Sequence, residues 1–280
     1  MDTKVLLRVE NISKKVSITS SDKPKLTDKF LSKWQKIVDL LSLIIDIPAA
    51  LIMRINKDTM EVLLKSKNDS NPYPVGGKEL LGSGLYCETV IGSDQKLSVD
   101  NALKYKEWED NPDVELNMIS YFGFPIKWFD NETFGTICVL DNKTNELNKI
   151  QQDLLEQFKN VIEDDLELLI FKKEIEHLSF HDEMTDLYNR RYFENEMERL
   201  NKSRRLPISI VIADMDELKQ INDNYGHKMG DRYIKKAAEI INSATRSGDV
   251  VARIGGDEFV IILPGTNTNL AKELCERIQN

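Results

Sequence analysis

The sequence predicts an α+β protein of two domains joined by one long helix, and three observations carry that expectation. Short β-branched runs alternate with amphipathic stretches in both halves of the chain. Residues 146–180 contain neither Gly nor Pro, so one uninterrupted helix should divide the halves. A length of 280 residues suits two hydrophobic cores of ordinary size. Charged residues make up 30% and apolar residues 41%, as in most globular chains. The net charge of −9 argues against a general nucleic-acid binder, which needs a basic face to displace counterions. A single nucleotide with its metals stays compatible with that charge.

Residues 1–25 hold six Lys or Arg against three Asp or Glu and read as a partly ordered arm. Met1 to Glu10 lacks the apolar segment of a signal peptide. Thr27 or Asp28 should cap a helix whose apolar face is Phe30, Trp34, Ile37, Leu41, Ile44 and Ile45, with Pro48 ending it. The apolar stretch 37–55 is broken by Asp39, Asp46 and Pro48, so no membrane span is expected and a cytoplasmic location is. Residues 50–55 and 61–64 read as strands, and 66–84, rich in Asn, Pro, Gly and Ser, as a long loop. A short helix over 85–91, a strand over 97–99, a helix boundary at 108–113 and strands over 121–126 and 134–140 complete the first domain.

Cys87, Cys138 and Cys275 are far apart and lack Cys-x-x-Cys spacing, and His177, His181 and His227 form no metal motif with them. Cys87 reads as a buried structural thiol, with a redox thiol as the alternative. Tyr86, Trp108 and Tyr121 read as core, with pocket lining as the alternative.

In the long helix Leu154, Val161, Leu168 and Ile175 recur every seven residues, with Gln157, Asp164, Phe171 and Leu178 between them. That is a heptad seam, polar in its first half and dry in its second, which predicts a parallel dimer. Leu155, Phe158, Ile162, Leu166 and Leu169 form a second stripe suited to docking on the first domain. The alternative is one helix packed on its own domain by both stripes.

After Asp182, a helix should restart over 185–200 with Arg190 and Arg191 in its first turns. The buried-strand run 207–213 leads into Asp214-Met215-Asp216, and 215–219 should turn into a helix whose free N–H groups suit nucleotide phosphates. Two apolar runs, 250–252 and 260–263, flank Arg253-Ile254-Gly255-Gly256-Asp257-Glu258-Phe259 and read as a hairpin. Glycine is expected at its bend for positive φ and for close approach of a ligand. Acids at neighbouring strand ends, Asp214 with Asp257 and Glu258, can converge on a metal ion bridging to phosphate. Residues 269–279 read as an amphipathic helix.

At these residues the chain resembles the GGDEF family, the diguanylate cyclases. Gly255-Gly256-Asp257-Glu258-Phe259 spells the family name, and two further motifs precede it in the family's order. These run from Asp182 to Arg191, and from Asp214 to His227 with Gly230-Asp231 following. At 85–89, 123–126 and 134–141 the chain resembles the GAF family of sensor domains, whose ligands vary. The resemblances imply an arm (1–25), a GAF-like sensor domain (26–148), a connecting signalling helix (149–181) and a GGDEF domain (182–280). The last would have a nucleotidyl-cyclase-like, ferredoxin-like α/β fold.

The GGDEF resemblance implies that two GTP molecules are joined into cyclic di-GMP with release of pyrophosphate, in a homodimer. It assigns two Mg²⁺ ions (Mn²⁺ as the alternative) to Asp214, Asp257 and the Met215 carbonyl, and deprotonation of the attacking hydroxyl to Glu258. Asn222 and Asp231 should read guanine, Gly255 and Gly256 should line the substrate, and the backbone of Met215, Asp216, Glu217, Leu218 and Lys219 should hold phosphates. Arg246 and Asp249 match the family's inhibitory product site. Without the motif, Asn222 and Asp231 would read as a helix cap and a solvated turn.

Three residues depart from the family: Leu218 stands in place of Phe, Met184 of Leu and Asp186 of Gly. The family's further strand, a helix with a Lys and an Arg for the triphosphate, and its last strand have no counterpart before Asn280, so the resemblance implies a shortened domain. Two other readings stand beside the cyclase. One is a module that binds GTP or cyclic di-GMP without catalysis. The other is a phosphatase using Asp214 and Asp216, which Leu218 opposes.

Overall fold

A computed structural model describes residues 4–9 and 12–17 as backbone, and 19–108, 110–202 and 206–279 with their side chains. The chain divides into two compact units, Met1–Phe171 and Lys172–Asn280. Among the described residues no helix is long and apolar enough to cross a membrane.

The first unit opens with an antiparallel ribbon, β1 (Lys4–Val9) and β2 (Ile12–Ser17), where the sequence suggested a partly ordered arm. Helix α1 (Asp28–Ile45) follows, then β3 (Ala49–Ile55), β4 (Thr59–Lys65), β5 (Lys78–Leu80), α2 (Tyr86–Ser93), β6 (Leu97–Val99), a single turn α3 (Pro112–Glu115), β7 (Ser120–Lys127) and β8 (Thr133–Asp141). The strands form one antiparallel sheet in the order β5-β4-β3-β8-β7-β6. β5 falls inside the expected long loop. All three of its residues are exposed, so it has no apolar alternation to betray it.

Both sheet faces are covered, so the central strand β8 is buried along its whole length. Ala50 and Ile52 of β3 pack with Trp34, Val38 and Leu41 of α1, whereas Leu51 and Met53 pack with Tyr86, Val90 and Ile91 of α2. Cys87 and the Tyr86, Trp108 and Tyr121 rings are core, with the two tyrosine rings stacked at 4.8 Å.

Helix α4 (Lys149–Phe180) is the expected long helix. Its stripe of Leu155, Ile162, Leu166 and Leu169 is buried against the α1 face of the sheet, with Phe158 packed on it. Between these lies the buried Asp165, whose carboxylate accepts from Trp34 Nε1 and Lys33 Nζ, each at 2.8 Å. A buried charge persists only when paired in this way. The dry half of the seam stays in solvent: Leu168 is 58% exposed, Phe171 41%, Ile175 65% and Leu178 62%.

The second unit comprises β9 (Tyr188–Asn189), α5 (Arg190–Asn201), β10 (Ile208–Asp214), α6 (Leu218–Tyr225), α7 (His227–Ala244), β11 (Val250–Arg253), β12 (Glu258–Pro264) and α8 (Thr268–Gln279). Its sheet order is β10-β12-β11-β9, with β9 parallel to β11 and the other pairs antiparallel. The helix expected from residue 185 starts only at Arg190. Asp186 takes a left-handed φ of 60°, Tyr188 and Asn189 pair with β11, and the Asn189 side chain caps α5 by accepting from Tyr192 N. Phe259, Ile261 and Leu263 of β12 pack with Ile234, Ala238 and Ile241 of α7 and with Ala271 and Leu274 of α8. The opposite face buries Val250 and Ile262 under Leu200 of α5. β10 lies at one end of the sheet, with Ile210 and Ile212 exposed.

Candidate functional site

The β11–β12 hairpin is present. Arg253 pairs with Phe259, and Ile254 N donates to Glu258 O at 2.9 Å to close the turn. Of the two reasons expected for its glycines the first is absent, since neither Gly255 nor Gly256 has a positive φ. A Cβ on Gly255 would sit 2.7 Å from Glu258 Oε2, whereas nothing lies within 4 Å of that position on Gly256. Gly255 makes room for the glutamate, and Gly256 leaves the tip open to an approaching ligand.

Arg253 braces this tip. Its Nη2 donates to Gly256 O at 2.8 Å, and its Nη1 donates to Asp182 Oδ1 at 3.0 Å. The same Asp182 oxygen accepts from Thr185 N at 3.0 Å and Thr185 Oγ1 at 2.7 Å. Burial pushes the Asp182 pKa up, but the hydrogen bonds from Thr185 and Arg253 outweigh it and hold the carboxyl below its usual range.

The strand register brings the second acidic motif alongside. Asp214, the last residue of β10, lies opposite Glu258, the first of β12, and Met215 N donates to Asp257 O at 3.2 Å. Met215 therefore has no free N–H for a phosphate, contrary to expectation. The N–H groups of Asp216, Glu217, Leu218 and Lys219 have no partner among the described residues. A left-handed φ of 61° at Glu217 turns the chain there into α6.

Asp214 and Glu258 are exposed and Asp257 is half-buried. Among the described residues, their carboxylates do not gather into a three-ligand cluster. Carboxylates and a backbone carbonyl on one open edge are nevertheless the hard oxygen donors that Mg²⁺ takes, so Asp214, Asp257 and the Met215 carbonyl fit such an ion.

Asn222 sits in the last turn of α6, and the sharp turn at Gly226 (φ 82°) leads into α7, which carries the exposed Asp231. The Asn222 Oδ1 is buried without a hydrogen-bond partner, and a Cβ on Gly230 would lie 2.0 Å from it. Gly230 is thus a socket for the amide, next in the chain to Asp231. An orphaned buried acceptor costs about 1–3 kcal/mol, which a donor on a ligand would recover.

Arg246 and Asp249 stand apart from the tip, with β11 running between. Asp249 Oδ2 accepts from Arg246 N at 2.9 Å and closes its own turn, while the Arg246 side chain is exposed. Sequence reasoning had overlooked the brace made by Arg253 and the socket made by Gly230. It had also overlooked the meeting of His177, His181 and Asp186, which only the four-residue spacing of the histidines hinted at.

The family model described as "Diguanylate cyclase, GGDEF domain" matches residues 179–280. The probable diguanylate cyclase DgcT of Escherichia coli is 38% identical over 37% of this chain and 23% of its own length. Diguanylate cyclase DgcS of Shewanella oneidensis is 39% identical over 38% of this chain and 36% of its own. Diguanylate cyclase DgcP of Escherichia coli is 22% identical over 88% of this chain and 74% of its own. The chain thus spans about a quarter to a third of the length of the first two relatives. Among solved structures, the coiled coil and GGDEF domain of DgcB from Caulobacter crescentus, in complex with c-di-GMP, is 25% identical. It covers 45% of this chain and 68% of that one, with a TM-score of 0.44. Residues 179–280 of this chain are a GGDEF domain.

Proposed function

We propose that the chain is a diguanylate cyclase that condenses two GTP molecules into cyclic di-GMP and pyrophosphate. The observation that carries this reading is the register of β10 on β12, which sets Asp214 opposite Glu258 and ties Met215 N to Asp257 O. Asn222 and Asp231 accept from guanine, while the N–H groups of Asp216, Glu217, Leu218 and Lys219 take up phosphate oxygens. Gly255 and Gly256 let the nucleotide lie close along the hairpin. Glu258 receives the proton of the attacking 3′-hydroxyl. Asp214, Asp257 and the Met215 carbonyl would hold two Mg²⁺ ions, or Mn²⁺, which offset charge building on the phosphates.

One domain offers one such hairpin, so the reaction needs two copies face to face. The exposed seam of Leu168, Phe171, Ile175 and Leu178 supports a parallel homodimer through the connecting helix, which raises the local concentration of the partner domain. The first unit (its residues 26–148) is read as a GAF-like sensor for an unnamed small molecule, and Arg246 with Asp249 as a product site that restrains turnover. A cytoplasmic setting, where GTP is available, completes the proposal.

The test is to incubate the chain with GTP and Mg²⁺ and to separate the nucleotides chromatographically. Cyclic di-GMP should form and should vanish in Asp257→Ala. No product, with GTP still bound, would replace the cyclase with a nucleotide-binding signalling module.

A further inference from the structure

At the end of α4 three groups meet that play no part in the reaction above. His177 lies in the last turn of α4 and His181 just past its end, where His181 N donates to His177 O at 2.8 Å and so carries the helical turn one residue further. Their rings stack with centroids 4.0 Å apart and planes 8° apart. Asp186 has a φ of 60°, a conformation that Asp tolerates better than most residues. Its Oδ1 lies 3.0 Å from His177 Nε2 and 3.8 Å from His181 Nδ1. One ligand atom from each of the three lies within 4.8 Å of the other two, and no other such His, Cys, Asp and Glu group occurs among the described residues. The His181 ring is held by the Asp186 carbonyl 2.7 Å from Nδ1, a contact that leaves Nε2 as the nitrogen with a free lone pair unless Nδ1 gives it up, and by the Tyr188 ring 4.6 Å away.

We propose that His177, His181 and Asp186 bind a late first-row dication, Zn²⁺ foremost, which clasps the last turn of α4 to the loop 182–186. Two imidazole nitrogens and a carboxylate oxygen are the donors of three-residue zinc sites, which keep a further position for water. Imidazole also separates this site from the hairpin acids, because Mg²⁺ takes oxygen and Zn²⁺ takes nitrogen readily. The ion can enter without any opening of the fold, since the His177 side chain is 51% exposed and that of Asp186 79%. It would replace the His177–Asp186 contact with coordinate bonds and would set the Asp186 carboxylate against the charge of the ion. The clasped loop also carries Asp182, the anchor of Arg253 and so of the hairpin tip.

The experiment uses the full chain stripped of metal by a chelator. It is titrated calorimetrically with Zn²⁺ in the presence of excess Mg²⁺, and with Co²⁺ while the visible d–d absorption is followed. Asp186→Asn keeps a residue that tolerates the left-handed backbone while removing the charge, and His177→Gln removes one nitrogen. The wild type should bind one Zn²⁺ per chain, each variant at least about tenfold more weakly. Zn²⁺ should raise the melting temperature of the wild type and of Cys275→Ser, which should bind as the wild type does, and should raise that of the two site variants less. Absence of Zn²⁺ binding would overturn the proposal. So would undiminished binding in both variants, which would move the ion to the hairpin carboxylates or to Cys275.

Discussion

Replacing Gly230 by Ala should separate nucleotide recognition from stability. The new Cβ would fall 2.0 Å from Asn222 Oδ1 and 2.9 Å from its Cγ, so the amide must leave its socket. Leaving breaks no hydrogen bond at Oδ1, which has none, and Asn222 is only half-buried, so the side chain can swing outward. Meanwhile Ala replaces Gly inside the 18-residue helix α7, a gain of about 1 kcal/mol. Stability should therefore hold or rise by up to that amount. If Asn222 reads guanine, GTP loses one hydrogen bond in a desolvated site, about 1–3 kcal/mol, or roughly five- to 150-fold in affinity. Urea unfolding followed by circular dichroism measures the first quantity, and calorimetric titration with GTP and ATP the second. Unchanged GTP affinity and unchanged preference over ATP would refute the role of Asn222. A stability loss above about 2 kcal/mol would instead show that the socket serves packing.

Three further outcomes follow from the same geometry. Arg253→Met removes the brace between Asp182 and the Gly256 carbonyl. The second unit should lose about 2 kcal/mol in denaturant unfolding, and cyclic di-GMP formation should fall with it. Ile175→Asp places a charge in the exposed seam of α4; light scattering should show a weakened dimer, and turnover per chain should become more dependent on concentration. Asp113 accepts from Tyr73 Oη at 2.7 Å, and burial pushes its carboxyl up to about 6. A raised folded pKa contributes stability that is fully present below the unfolded value near 4. That contribution is lost as pH rises to about 6, for a swing on the order of 3 kcal/mol. Asp113→Asn should flatten the first unit's stability across that window, as read by thermal unfolding at fixed pH steps.

The sequence shows most clearly those features that rest on local chemistry. The run free of Gly and Pro became α4, and its Leu155–Leu169 stripe is buried where the periodicity placed it. The hairpin and the acidic strand end were likewise legible from β-branched runs ending in carboxylates. What escaped depends on contacts that no local pattern announces. β5 is held by pairing with β4. The late start of α5 follows from the pairing of Tyr188 and Asn189 with β11. The glycines of the hairpin were expected for positive φ and for ligand approach, whereas the room that Gly255 gives Glu258 depends on a side chain folding back over the turn. The loss of Met215 N to Asp257 O needed the register of two strands 40 or more residues apart. Asp165 carries no local signal either, because its partners Lys33 and Trp34 lie 132 and 131 residues away in the chain.

The outer side of β10 has a practical consequence for any study of self-association. Along that edge the backbone donors and acceptors of the sheet meet no further strand among the described residues, and Ile210 and Ile212 add apolar surface. Such an edge invites strand-to-strand contact between molecules at high concentration. Two chemically different kinds of adhesion can then coexist, one helical and specific, the other sheet-like and growing without closure. Mass measurements that test the proposed dimer are best made on an Ile212→Lys background, where a charge on the edge suppresses the open-ended route and leaves the α4 seam untouched.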